Sequence, residues 1–286
     1  MSVPTSSTVA SWELALRLRQ RREQVGLDAR TVAEAMGFTR NYWSAVENER
    51  KVLSEENLNK VFDLFEFDQR ERDELRQLRA ATRQRDWWTY YSMLDPEIQR
   101  LYGLEAGARS VKGYESILVP GILQIADYAR AIIAPAPTIR EVEIDQLVDV
   151  RLKRQERLSG ATPLRLTSVL SEAVLWQQIG GPAILRRQLQ HLINMFEEHP
   201  DTISIHVIPF TATSCELFGS ATVHILDFQS SMLPMVAWQE TVTSYGIIED
   251  RARVRDITTT YAAALKIALD PQESTRMIRR RIDELA

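Results

Sequence analysis

"VAEAMGFTRNYWSAVENERK", residues 32–51, decides the fold of the N-terminal part of this 286-residue chain. Val32, Ala33 and Met36 are spaced for the inner face of a short helix over 31–36. Gly37 ends it, Phe38 is placed to plug a core, and Thr39 is a side-chain cap for a further helix over roughly 40–47. Two short helices joined by a tight Gly turn leave Arg40, Asn41, Tyr42 and Ser44 at the start of the second one.

Working outward, the apolar spacing predicts a helix from Trp12 to Val25, with Leu14, Leu18 and Val25 on one face and Arg17, Arg19, Arg21 and Arg22 on the others. Residues 1–10 are rich in Ser and Thr and read as frayed. Gly26 stops the first helix and Asp28 is a cap candidate for the second. Ser54 caps "SEENLNKVFDLFEF", where Ser54 and Asn57 form an imperfect capping box and Leu58, Val61, Phe62 and Phe65 make the inner stripe. Asp68 opens a fifth helix running to about Arg85. Five short helices with a Gly turn between the second and third describe a helix-turn-helix DNA-binding module, whose third helix lies in the major groove with its first residues at base edges.

Charge distribution agrees with a local contact. The whole chain has a net charge of −4, so it lacks a global basic signal for nucleic acid. Residues 1–51 nevertheless carry eight Lys/Arg against six Asp/Glu, and residues 87–286 carry 20 against 24. The single cysteine, Cys215, rules out an intramolecular disulfide and fits a reducing compartment. No charged start followed by an apolar run is present, and no apolar stretch reaches the roughly 18 residues that span a bilayer, so a cytoplasmic protein without membrane contact is expected.

After "RDWWTYY" the chain reads as a second domain. Asp95-Pro96 is a helix start, and a second lies at Pro120-Gly121 leading into "ILQIADYARAII". "APAPT" (134–138) is a break, and residues 141–158 form a charged helix with Ile144, Leu147, Val148 and Leu152 inward. Strands are predicted at 164–170, 203–210, 221–228 and 235–242, around a helix over 182–199. Val254, Ile257, Tyr261, Leu265 and Ala268 share a helical stripe, and Asp270-Pro271 starts a last helix. The expected fold is therefore mainly α with a smaller β part: a helix-turn-helix domain over 10–86, then an α+β regulatory and dimerisation domain over 87–286 with a sheet of about four strands.

Residues 14–65 resemble the Xre/Cro family of phage-repressor-type helix-turn-helix regulators. The stretches that carry the likeness are "LRLRQRREQVGL", "VAEAMGFTRNYWSAVEN" and "NLNKVFDLF", with the spacing Ala33–Gly37–Val46–Glu47–Asn48. The resemblance implies base reading by Arg40, Asn41 and Ala45, with Tyr42 and Ser44 beside them. Arg matches guanine and Asn matches adenine by donor and acceptor geometry, and Ala offers a methyl. It further implies phosphate contacts from Asn48, Arg50 and Lys51, with Arg30 and the cap Thr39 adding to them, and a core position for Trp43. Two departures bear on affinity: Ala29 stands where the family usually has Gln, and Glu49 where it usually has Gly.

"GYESILVPGILQIADYARAII", "VRLKRQERL", "SEAVLWQQIGG", "LRRQLQHLI", "ISIHVIPF" and "WQETV" follow in that order over about residues 98–285. They look like the antitoxin-like, functionally undefined C-terminal domain of many actinobacterial regulators. That likeness implies a transcriptional regulator, often encoded beside a small partner protein, and implies no enzyme activity. "FTATSCELFGS" replaces a turn that in the family contains Gly and His.

No GxGxxG, P-loop, HExxH or GxSxG occurs, so no cofactor or metal is expected. Glu172 and Glu240 read as hydrogen-bond acceptors from backbone or from Arg151 or Arg154, His206 and His224 as satisfied surface residues on adjacent strands, Cys215 as a loop residue, and "RLKRQERL" as a solvated face. Trp87, Trp88, Tyr90 and Tyr91 form either domain glue or a pocket for a small-molecule effector. The function expected is a sequence-specific DNA-binding regulator acting as a homodimer on a palindromic operator; the alternative is an antitoxin-like protein that binds a small partner and regulates its own promoter.

Overall fold

The computed structural model describes residues 6–241 and 244–285. The chain divides into two compact units: one runs to Tyr90 and includes Gln229–Leu233, the other comprises Tyr91–Phe228 and Pro234–Ala286. The first division thus falls four residues after the boundary expected from sequence.

The first unit consists of α1 (Ser7–Gln24), α2 (Ala29–Met36), α3 (Arg40–Glu47), α4 (Glu55–Leu64) and α5 (Gln69–Ala81). The caps of α2 to α5 are those the sequence signals, whereas Ser6, which caps α1, is not among them. Asp28, Thr39 and Ser54 each accept from the backbone N–H three residues on, and Asp68 forms a reciprocal capping box with Glu71. Helix α1 starts earlier than expected, at Ser7, because Val9 and Ala10 are buried and Asp86 accepts from both the amide and the hydroxyl of Ser7. The expected fraying therefore does not extend over residues 6–10, and residues 1–5 lie outside the described residues. Helix α5 ends at Ala81, short of the expected Arg85. The core joins Leu14, Leu18, Val32, Trp43, Phe62 and Phe65, with Trp43 and Phe65 packed edge to face at 5.8 Å.

The second unit contains α6 (Pro96–Gly107), β1 (Ser110–Glu115), α7 (Ala126–Ile133), α8 (Glu141–Gln155), β2 (Arg165–Ser171), α9 (Ala173–Trp176), α10 (Pro182–Glu198), β3 (Ile203–Ile208), β4 (Thr222–Asp227), β5 (Val236–Glu240), β6 (Tyr245–Ile248), α11 (Arg251–Ile267) and α12 (Pro271–Glu284). The sheet has six strands among the described residues, in the order β3-β2-β1-β4-β5-β6, not about four. Strands β1, β2 and β3 run parallel, and β4 to β6 continue antiparallel from β1.

The two unexpected strands explain their own silence in the sequence. Strand β1 is central, but Gly113 and Glu115 occupy buried positions and its large apolar residues are only Val111 and Tyr114, so no apolar alternation shows. A Cβ at Gly113 would lie 3.2 Å from Cδ2 of His224 on the next strand, so the glycine makes room for that ring. Strand β6 has only four residues. The last residue of the expected strand 235–242, Val242, lies outside the described residues.

Three further expectations are corrected. Pro120-Gly121 opens a 3-10 turn, and α7 begins separately at Ala126. Helix α8 turns Val150 and Arg154 inward and leaves Leu152 exposed, because its buried face includes a charged group with a partner. His206 and His224 are not on adjacent strands: β2 and β1 separate them, His206 bonds Ser204 and the Leu269 carbonyl, and His224 is buried.

Candidate nucleic-acid interface

Helix α3 is fixed at both ends. At its start, Thr39 Oγ1 accepts from Tyr42 N at 3.1 Å. The α2–α3 turn is made possible by Gly37, whose φ of 68° suits glycine, and it is closed by Phe38 N on the Ala33 carbonyl at 2.8 Å. At its end, Arg50 N bonds the Ala45 carbonyl at 2.8 Å and Glu49 N bonds Val46 O at 3.3 Å, which is a Schellman closure. That closure forces Glu49 to a φ of 62°, the left-handed place where the family pattern has glycine.

From behind, α3 is held by a buried carboxylate. Glu47, 8% exposed, accepts from Trp43 Nε1 at 3.0 Å and from the Arg22 guanidinium of α1. The Arg22 group is held above its ordinary value mainly by that hydrogen bond, against the opposing effect of burial. Arg19 adds a bond at 2.6 Å to the Glu47 carbonyl and one at 3.1 Å to Asn48 Oδ1. The arginines of α1 are thus not surface decoration. Arg17 reaches Glu74, and Arg21 reaches the carbonyls of Phe65 and Glu66.

This leaves a defined outer face. Arg40, Asn41 and Ser44 are exposed, and Tyr42 and Ala45 are half-buried. Neither Arg40 nor Asn41 has a side-chain partner among the described residues. Tyr42 leans on Phe38 with ring centres 4.5 Å apart, and the Lys51 ammonium stands 4.8 Å over the Tyr42 ring. Arg50 is exposed beside it at the C-terminal end.

Two expected phosphate residues are engaged within the module. The Asn48 amide donates to the Ser44 carbonyl at 2.7 Å while its oxygen accepts from Arg19. Arg30, exposed in the first turn of α2, pairs with Glu34 at 2.8 Å. The aromatic group falls in both units: Trp88 is buried, Tyr90 is 68% exposed, Trp87 packs edge to face on Trp88, and the Tyr91 hydroxyl bonds Asp149 under the Lys153 ammonium.

The second unit carries charge in its interior that sequence reading missed. Arg154, read as part of a solvated run, is buried and makes two bonds to Glu105, at 2.8 and 2.7 Å. Burial alone would lower its pKa; the charge and hydrogen bonds of Glu105 outweigh that and hold it high. Glu172 accepts from Phe210 N and Trp176 Nε1, and Glu240 from Trp238 Nε1, so none of these bonds comes from Arg151 or Arg154. Cys215 is a half-buried loop residue. No helix among the described residues is long and apolar enough to cross a membrane.

Comparison with known families agrees with this division. A model described as "Helix-turn-helix domain" matches residues 13–75, the span from α1 into α5. A model described as "Domain of unknown function (DUF5753)" matches residues 98–280, almost the whole second unit. No curated protein and no solved structure matches the chain. The matched span of the second model is more than half the chain, and the chain belongs to the DUF5753 family, with a helix-turn-helix domain ahead of the family domain.

Proposed function

We propose that the protein is a sequence-specific DNA-binding transcriptional regulator that reads its operator with α3. The observation that carries this reading is the contrast between the two faces of that helix. Its inner face is locked by Trp43, Val46 and Glu47, whereas Arg40 and Asn41, at its start, have no side-chain partner among the described residues. Groups meant for base edges need this combination of a rigid base and unpaired ends. Arg50 and Lys51, held at the C-terminal closure, supply phosphate contacts, and Arg30 does so by exchanging its surface Glu34 partner for phosphate. A single such helix buries too little surface for high specificity. A homodimer on a palindromic site, with half-sites about 34–36 Å apart, provides the remainder.

Selection of binding sites from a random duplex pool tests the division of roles. Arg40→Ala is expected to relax preference at one base pair per half-site, losing about 1–3 kcal/mol of discrimination there. Lys51→Ala is expected to weaken all sequences alike and to flatten the salt dependence by roughly one phosphate contact per subunit. Identical changes from both substitutions would contradict the assignment.

A further inference from the structure

Tyr42 stands apart from the other polar residues of α3. At about 100° of rotation per residue, Arg40, Asn41, Ser44 and Asn48 share one arc of about 100°, and all four are exposed. Tyr42 lies about 100° beyond Asn41, the nearest of them, at the margin next to the buried Val46. A helix seated in a DNA groove turns its outer face to the base edges and its flanks to the phosphate backbones. Tyr42 is therefore placed for a backbone contact, and Arg40 and Asn41 for bases.

The Tyr42 ring is also a support. Its ring packs on that of Phe38 at 4.5 Å, and the Lys51 ammonium stands over it at 4.8 Å from the centre. The closure of α3 brings Lys51 there, because the amides of Arg50 and Lys51 both donate to the Ala45 carbonyl, at 2.8 and 3.1 Å. Lys51 is exposed and has no carboxylate partner among the described residues, so the ring is what narrows the position of its charge. The Tyr42 hydroxyl has no hydrogen-bond partner among the described residues either, and the half-buried ring beneath it is held by its neighbours. One neutral donor and one charged donor thus share a fixed base, which suits an anion with several acceptor oxygens.

We propose that Tyr42 and Lys51 form one clamp for a DNA backbone phosphate, with the hydroxyl and the ammonium donating to the same group and the Tyr42 ring positioning the Lys51 charge. This rests on the reading of α3 as the helix that contacts the operator. It assigns Tyr42 to the backbone and not to base reading.

The test is fluorescence anisotropy of the full chain on its promoter fragment and on random duplex, at several salt concentrations. Wild type, Tyr42→Phe, Lys51→Met and the double variant are compared, each with its fold checked by circular dichroism. Tyr42→Phe keeps the ring and removes only the donor. It should weaken binding to both duplexes by about tenfold, with the preference between them and the salt dependence unchanged. Lys51→Met should weaken both and flatten the salt dependence by roughly one phosphate contact per subunit. Because the donors share one phosphate, Tyr42→Phe should cost no more than about threefold in the Lys51→Met background. The clamp is overturned if Tyr42→Phe binds like wild type, if it changes the preference for promoter over random duplex, or if its cost is the same in both backgrounds. Failure of the wild type to bind either duplex would overturn the reading of α3 together with the clamp, whereas wild-type binding with a silent Tyr42→Phe overturns the clamp alone.

Discussion

Glu49 shows how much one residue reveals. Its left-handed backbone closes α3, and glycine would adopt that conformation without strain. Glu49→Gly should therefore stabilise the first unit by up to about 1 kcal/mol, and Glu49→Val should destabilise it; denaturant titration reads both, and reversed signs would refute the strain. This position was legible in the sequence because a glycine was expected where a Glu stands. Arg154 was not, since its environment is set by Glu105, 49 positions away and on another helix. With side-chain exposures of 3% and 5%, the Arg154–Glu105 pair cannot lose one member cheaply. Glu105→Ala should destabilise the second unit by about 3–5 kcal/mol, and a paired change to apolar residues of similar volume should recover most of that.

At the scale of elements, capping signals read well and strand β1 reads badly. Asp28, Thr39, Ser54, Asp68, Asp95 and Asp270 all cap the helices that follow them, because a cap is a local hydrogen bond between near neighbours. Strand β1 puts Gly113 and the charged Glu115 at buried positions and Lys112 at an exposed one, so its large apolar residues, Val111 and Tyr114, carry no period of two. The same contrast applies to the candidate interface. Arg40 and Asn41 could be placed on a helix start from local signals, whereas the clasp of Arg19, Arg22 and Glu47 behind them depends on how α1 packs on α3. Glu47→Ala removes the Trp43 indole's acceptor and the carboxylate partner of Arg22, which keeps its bond to the Leu27 carbonyl. It should destabilise the first unit by about 2–4 kcal/mol and loosen α3 without removing any proposed DNA contact. Thermal unfolding gives the first effect. Operator affinity measured well below the Tm gives the second, and an unchanged Tm would exclude Glu47 as the anchor.

At the scale of the whole molecule, alkaline pH should act on the second unit through its buried tyrosines. Burial pushes Tyr114 and Tyr128 up to about 12, and pushes Tyr261 up as well. An unfolded tyrosine ionises near 10, so between about pH 10 and 12 the unfolded state releases protons that the folded state retains. Stability contributed by these groups is complete below pH 10 and lost as pH rises toward 12, by about 2–3 kcal/mol for each of Tyr114 and Tyr128. Following tyrosinate absorbance and near-ultraviolet circular dichroism together should show ionisation coupled to loss of tertiary signal; early ionisation with the signal intact would contradict it.

The chain as a whole is acidic, with a net charge of −4, and the proposed reading assigns its DNA affinity to the local face built on α3. The most direct measurement is fluorescence anisotropy of the full-length protein on its own promoter fragment, titrated against salt, beside the Arg40→Ala/Asn41→Ala double variant. Reading by α3 predicts saturable wild-type binding that weakens steeply with salt, and a double variant that keeps its fold but binds promoter and random duplex equally weakly. Promoter preference retained by the double variant would show that α3 does not read the operator.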